Sequence, residues 1–482
     1  MLTLDYANCL AGRVGDHGLD PDTLAPGSQI AKAAASITDR LGATRGTGWE
    51  RWRDLARGAL RDKHVNTVRA VVERCRGKFD TMVVLGIGGS ALGNIALQSS
   101  LNSPVYNLLP DKLRPGPRMF VIDNVDPINF GSIIEFCGKS GGLERTLFNV
   151  ISKSGETAET ASQFMVIRDL LKKAMGDAHK RNIVAITDPE KGTMRRICDE
   201  NGYATLPVPE GVGGRFSVLS PVGLFSAAMC GIDIDALLDG AAEMDGPCSR
   251  PELSRNPAAM LACLLVELGD RKGKTNHVLM PYANQLYLLA DWFRQLWAES
   301  LGKTVESVNG AANVGFTPIK ALGTTDQHSQ IQLYREGPND KVIGILEVDR
   351  FHDDADKTMS NGHVTIPKGL GVEALTYLEG RTMAELLSAE KRATEYALVE
   401  SNRPNFTIRF PRIDARHVGQ FIMLWEVVTA YAGQLLGVDA YDQPAVETGK
   451  QATFGLMGRK GYEEWQARVK ESLAPTEFVI DG

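Results

Sequence analysis

The sequence is short of positive charge. Its 53 lysines and arginines are outnumbered by 59 acidic residues, leaving a formal net charge of −6. A nucleic-acid or anionic-membrane binder needs basic patches to displace the counterions of phosphate groups, so neither partner is expected. Any phosphate-bearing ligand must be held by local donors against the net field. Cysteine is sparse. Cys9, Cys75, Cys137, Cys198, Cys230, Cys248 and Cys263 stand singly, and no C-x-x-C occurs. That excludes a disulfide framework or a zinc ribbon as the organising principle, and a cytoplasmic setting fits. Long hydrophobic runs are missing too. The most apolar stretch, residues 82–97, is broken by four glycines, Ser90 and Asn94, and is short for a membrane span. The start, MLTLDYANCLAGRVGDHG, has no basic n-region and sets Asp5 where an apolar segment would lie, so no secretory signal is expected. No metal-ligand cluster, short repeat or low-complexity linker stands out.

What is present is an ordinary globular composition: 482 residues, 43% hydrophobic and 23% charged. Length sets a soft prior of about three domains. Residues 28–76 read as helices, with Trp49, Trp52, Leu55, Leu60, Val65, Val68 and Val72 recurring at helical spacing. From residue 80 the pattern changes. Short β-branched runs at 82–85, 119–122, 148–151 and 183–186 each lead through a Gly/Ser/Asp turn into a helical stretch. That alternation predicts βαβ units and a parallel sheet. A second alternating region begins near His277. It has strand candidates at 277–280, 342–346 and 374–377, a helix over 284–300, and a long apolar helix over 414–436. The fold class expected is α/β, with two subdomains, each a mostly parallel sheet flanked by helices. The expected division is a helical N-terminal region over 1–77, α/β subdomains over 78–240 and 241–437, and a C-terminal arm over 438–482.

Six segments carry chemistry. GIGGSALG, Gly86–Gly93, follows a strand and opens a helix, where outward-pointing amides favour an anion. It formally fits the dinucleotide pattern with Ala91 in the last place. The acid which that pattern wants about twenty residues on is not at a strand end, because Asp111 precedes the next strand. An anion turn, a nicotinamide site and a plain packing turn all remain open for this motif alone. ISKSGETAET, Ile151–Thr160, brings Ser152, Ser154, Thr157, Thr160 and Lys153 to a strand–helix junction. Hydroxyls, a cation and the positive end of a helix suit a phosphate monoester. EGVGGRFSVLSPVG, Glu210–Gly223, places Arg215 after a double glycine, its five-donor fork available to an oxyanion. WAESLGK, Trp297–Lys303, sets Glu299 near a helix end, where a desolvated carboxylate can act as a general base. His328 lies in GTTDQHSQ at an expected helix start, which disfavours imidazolium. YDQPAVETGK, Tyr441–Lys450, packs acids, an amide and a lysine after the long helix.

In this order, over roughly residues 80–450, these segments resemble the phosphoglucose isomerase family in its bacterial spelling. The resemblance implies two sugar-isomerase-type α/β subdomains and interconversion of glucose 6-phosphate and fructose 6-phosphate through a cis-enediolate, an activity of glycolysis and gluconeogenesis. It implies that Glu299 moves the proton between C2 and C1 and that Arg215 stabilises the enediolate oxygen. His328 and Lys450 would assist ring opening. Gly89, Ser90, Ser152, Lys153, Ser154, Thr157 and Thr160 would hold the sugar and its phosphate, and Gln443 and Glu447 would support substrate or neighbours. No cofactor or metal is implied, because the hydrogen travels as a proton. A homodimer is implied, with the histidine donated across the interface. Two positions depart from the pattern. Glu156 replaces a frequent Thr in the phosphate loop and is expected to face away from the ligand; Ala445 replaces a usual Gly. The alternatives weighed are a non-catalytic sugar-phosphate-binding regulator on the same domain, an isomerase also accepting mannose 6-phosphate, and an NAD-dependent enzyme.

Overall fold

The computed structural model describes residues 1–307, 310–351, 363–472 and 478–480. Among them run twelve strands: β1 (Thr3–Asp5), β2 (Thr81–Leu85), β3 (Arg118–Ile122), β4 (Thr146–Ile151), β5 (Ile183–Thr187), β6 (Ala204–Pro207), β7 (Asn276–Pro281), β8 (Lys303–Ser307), β9 (Gly310–Val314), β10 (Thr317–Lys320), β11 (Lys341–Val348) and β12 (Asn405–Phe410). The first sheet has the order β3-β2-β4-β5-β6 and is parallel throughout. Its inner strands β2, β4 and β5 are buried at every residue. A parallel strand covered by helices on both faces reads as a continuous apolar run, not an alternation. From β2 the chain steps to β3 on one side, then crosses to β4 on the other. Ligands bind outside the carboxyl ends of strands at such a switch point. The loops after β2 and β4, GIGGS and SKSGET, both emerge there.

The second sheet runs β1-β12-β11-β7-β10, parallel except for β1. The N-terminal stretch, expected to be helical, therefore opens on a strand. β1 pairs antiparallel with β12 and covers an edge that would otherwise expose unpaired amides. β8 and β9 form a separate antiparallel hairpin. The strand expected at 374–377 is instead a 3-10 helix, Glu373–Leu378, with no buried residue. The segment buries no side chain against a sheet and pairs with neither edge strand of the second sheet, β1 or β10.

Two long helices fix the centre. Ala415–Leu436 is capped by Asp414, whose carboxylate accepts from the His417 amide, and is buried from His417 to Gly433. It crosses the helix Ile234–Asp245 at backbone contact. A Cβ on Gly419 would lie 1.9 Å from the Leu237 carbonyl oxygen, and one on Gly240 would lie 1.8 Å from that of Arg416. Nothing larger than hydrogen fits at either position. The helix Tyr287–Leu301 joins the same core through aromatic rings: Phe293 sits 4.4 Å from Trp425, and Trp297 5.8 Å from it. Truncating a buried tryptophan of this cluster to Ala is expected to cost about 3–5 kcal/mol. The last turn of that helix carries Glu299.

Candidate active site

Arg215 sits in a 3-10 turn, Gly214–Phe216, and its side chain is only 3% exposed. The turn is docked on the loop after β2. A Cβ on Gly89 would lie 2.2 Å from the Gly214 carbonyl carbon, so Gly89 serves close approach as well as any ligand. Gly211 holds φ +68 and would bring a Cβ 2.1 Å from the Gly48 oxygen. The guanidinium is then spent almost completely on protein. Nε donates to Ser300 Oγ at 2.6 Å, Nη1 to Gln443 Oε1 at 3.0 Å, and Nη2 to the carbonyls of Ala440 at 2.5 Å and Asp442 at 3.0 Å. Of its five N–H groups, one on Nη1 is left without a hydrogen bond among the described residues. Glu299 Oε1 lies 3.5 Å from that nitrogen. Burial pulls the guanidinium below its ordinary value, while Glu299 and Asp442 push the other way.

Glu299 is half-buried, at 28% side-chain exposure, not fully enclosed. Its second oxygen accepts from Gln295 Nε2 at 2.9 Å. Gln295 in turn lies against Gly88, whose Cβ would come 2.9 Å from the amide nitrogen. The helix end beneath is closed by Lys303, which donates to the carbonyls of Glu299 and Ser300 at 2.9 Å each. Burial, and then the neighbouring Arg215, lower the Lys303 ammonium. The loop after β2, the arginine turn and the glutamate helix thus meet at one place.

The serine-rich loop after β4 is built around its own amides. Ser152 Oγ accepts from the Gly155 amide at 3.0 Å, and Ser154 Oγ accepts from the Glu156 amide at 3.1 Å. Thr157 is the N-cap of the helix Ala158–Met175 yet makes no side-chain cap bond. All three hydroxyl protons therefore stay available. Ser152 and Thr160 are both buried, at 4% and 1% exposure, whereas Ser154 is exposed and Thr157 half-buried. Ser90 is half-buried at the end of the GIGGS turn. Glu156 is turned onto Arg459 at 2.9 Å and accepts from Thr193 at 3.0 Å. Arg459 first, and Thr193 second, hold its carboxyl below the ordinary range.

Two expected residues stand apart. His328 is exposed and closes the 3-10 turn Thr325–Gln327, three residues before the helix Ile331–Glu336 begins. It is thus not in a first helical turn, because Asp326 turns the chain through hydrogen bonds to Leu322 and Ser329. Lys450 pairs with Glu447 at 2.7 Å on the helix Val446–Leu456, at 54% and 55% exposure. Among the described residues, no hydrogen bond or ion pair joins His328 or Lys450 to Arg215 or Glu299. Ala445 is the N-cap of that helix.

The stretch around residues 48–53, in which no chemical motif is legible, proves to be part of the site's wall. Trp49 lies under the Lys153 ammonium, 5.0 Å from ring centroid to Nζ. Trp52 packs on Phe216 at 5.2 Å, and Phe216 on Tyr441 at 5.3 Å. Glu50 accepts from the Tyr441 hydroxyl at 3.2 Å, and Arg51 pairs with Glu210 at 2.7 Å. The signal available was WERWR following Gly46 and Gly48: two aromatics in a glycine-broken stretch between helices.

The phosphoglucose isomerase family model matches residues 63–460. A glucose-6-phosphate isomerase of Rubrobacter xylanophilus is 43% identical over 464 residues, 96% of this chain and 99% of that protein. One of Carboxydothermus hydrogenoformans is 44% identical over 423 residues, 88% of each chain. A solved structure of a hypothetical protein from Thermus thermophilus superposes with a TM-score of 0.81 at 34% identity, covering 95% of this chain and 100% of that one. Matched along most of its length by the family model and by near full-length relatives, the chain belongs to the phosphoglucose isomerase family.

Proposed function

We propose that this chain interconverts glucose 6-phosphate and fructose 6-phosphate by ring opening and proton transfer, without a cofactor. The observation that carries the reading is the pairing of a half-buried carboxylate with a buried, fixed guanidinium that keeps one N–H uncommitted. Glu299 takes the proton from C2 of the open-chain aldose. The C1 carbonyl becomes the enediolate oxygen, and the uncommitted Nη1 donor of Arg215 stabilises that charge. Glu299 then returns the proton to C1, while the proton on O2 passes to O1 and leaves the ketone at C2. Gln295 aims the carboxylate, and Gln443 aims the arginine.

The phosphate rests on Ser152, Ser154, Thr157 and Lys153 at the positive end of an eighteen-residue helix. Gly89 and Ser90 face the sugar. Thr160, closed off in the interior, acts only as support. His328 and Lys450 serve ring opening, with Glu447 orienting Lys450. His328 lies exposed and, among the described residues, makes no bond to Glu299 within one chain, which favours a homodimer in which each copy lends its histidine to the other. Seven free, buried cysteines suit a cytoplasmic setting. No described helix is long and apolar enough to cross a membrane.

A coupled assay on fructose 6-phosphate, repeated with mannose 6-phosphate, tests the activity and its breadth. Glu299→Gln is expected to keep KM near wild type and to lower kcat by about 10²–10⁴-fold. Near-normal turnover in that variant would remove the base assignment.

A further inference from the structure

A second concavity opens at the other end of the first sheet, where the chain enters the strands. Lys78 precedes β2, Glu144 precedes β4, Lys180 and Arg181 precede β5, and Arg74 closes the rim from the helix Gly58–Cys75. The cavity measures about 900 Å³, within the size range of small-molecule sites. It lies away from the switch-point loops, so it is distinct from the proposed active site.

An adjoining cavity of about 680 Å³ provides an internal control. Its arginines are all neutralised: Arg69 by Asp235, Arg76 by Glu73, Arg114 by Asp111 and Arg145 by Asp80. In the larger cavity, Arg74, Lys78, Lys180 and Arg181 have no ion-pair partner among the described residues, and Glu144 is the one carboxylate lining it. Four unneutralised cations around one hollow repel each other. A chain whose net charge is −6 has acids enough to pair them and does not. A polyanion relieves that repulsion and releases counterions on binding. The floor is apolar, formed by Phe79, Val184 and Ala204. A cationic rim over an apolar floor suits a ligand with several phosphates at one end and a flat, weakly polar ring at the other.

We propose that this cavity binds a nucleoside di- or triphosphate, with its phosphates along Arg74, Lys78, Lys180 and Arg181 and its base on the apolar floor. The inference stands apart from the isomerase reading and does not need it. The test is titration calorimetry of the full chain, saturated with fructose 6-phosphate, using ATP and inorganic tripolyphosphate as probes. ATP is expected to bind saturably, one per chain, and more weakly as salt rises. Tripolyphosphate should bind less tightly than ATP. The triple variant Arg74→Ala/Lys180→Ala/Arg181→Ala should lose at least about tenfold in ATP affinity, with unchanged melting temperature and isomerase turnover. Arg69→Ala, in the neutralised cavity, should leave ATP affinity within about twofold. No saturable heat at millimolar ATP, or binding undiminished in the triple variant, would overturn the site. Tripolyphosphate binding as tightly as ATP would overturn the ring-on-floor half of it.

Discussion

Arg215 and Glu299 are held by the interior, whereas His328 and Lys450 stand on the surface. The first pair is fixed by named partners: Ser300, Gln443 and two backbone carbonyls on the arginine, and Gln295 on the glutamate. Among the described residues, the second pair has one side-chain partner between them, the exposed Glu447. The contrast fits the roles proposed above for each residue. Charge stabilisation is strongest when dipoles are oriented before the reaction and sheltered from water, so that part is built into the core. Proton exchange with a ring oxygen needs a group that can be supplied late, and an exposed histidine can come from a second copy of the chain.

The largest expected effects fall in the buried half, where Glu299→Gln leads and Arg215 follows. Arg215→Ala should lower kcat by about 10²–10³-fold, while KM changes far less. Arg215→Lys should recover little of the loss, because an ammonium cannot reproduce the fork that meets Ser300, Gln443 and Glu299 together. A change confined to KM would contradict the oxyanion role. Next comes the exposed half. Glu299→Gln and His328→Ala should each be nearly inactive alone. Unfolded and refolded together in equal amounts, they should regain roughly a quarter of wild-type activity, since half the dimers are mixed and each mixed dimer rebuilds one site of two. No recovery would place both residues' work within one chain.

Acid offers a third way to separate the halves. His277 is fully buried, accepts from Trp297 Nε1 at 3.1 Å, and holds the Lys274 carbonyl through its other nitrogen. Burial pushes it down to about 3. Its stabilising effect is complete above the unfolded value of about 6.5. As pH falls from there toward 3, the unfolded chain takes up a proton that the folded chain refuses, and stability is lost. His64, lowered to about 4 mainly by burial, adds in the same direction. Trp297 lies two residues before Glu299. The melting temperature should therefore drop steadily between pH 7 and pH 5, and His277→Phe should flatten that slope. The smallest effect concerns Trp49. Removing a cation–π contact of about 0.5–1 kcal/mol should raise KM about two- to fivefold and leave kcat nearly unchanged. A kcat effect as large as the KM effect would mean that Trp49 supports the arginine turn and not the phosphate loop.

The strands of the first sheet were legible because a buried parallel strand announces itself as a short apolar run. β12, NFTIRF, was not, since Asn405 and Thr407 are polar yet buried. Their side chains are satisfied by partners outside the strand: Asn405 accepts from the remote Asn8 and donates to the nearby Arg403 carbonyl, and Thr407 donates to Glu395 on the preceding helix. The stretch 374–377 failed the other way, carrying strand-like residues in a segment that buries none of them. At the site, the family resemblance pointed to Arg215 and Glu299, but could not show Gln295 and Ser300 holding them, nor Trp49 under Lys153. Those contacts link residues that share no local pattern. The outward turn of Glu156 was expected from like-charge repulsion, and Arg459 is the partner that fixes it.

The amino-acid order by itself determined which local chemistry each segment can offer: anion-ready amides after β2, hydroxyls after β4, a forked cation after two glycines, an acid at a helix end. Local propensity and side-chain type are properties of a few neighbouring residues. Tertiary structure alone decided that three of those segments meet, that the guanidinium keeps one donor uncommitted, and that the histidine and lysine remain outside. Distance, burial and the exclusion of water arise only when remote parts of the chain pack together.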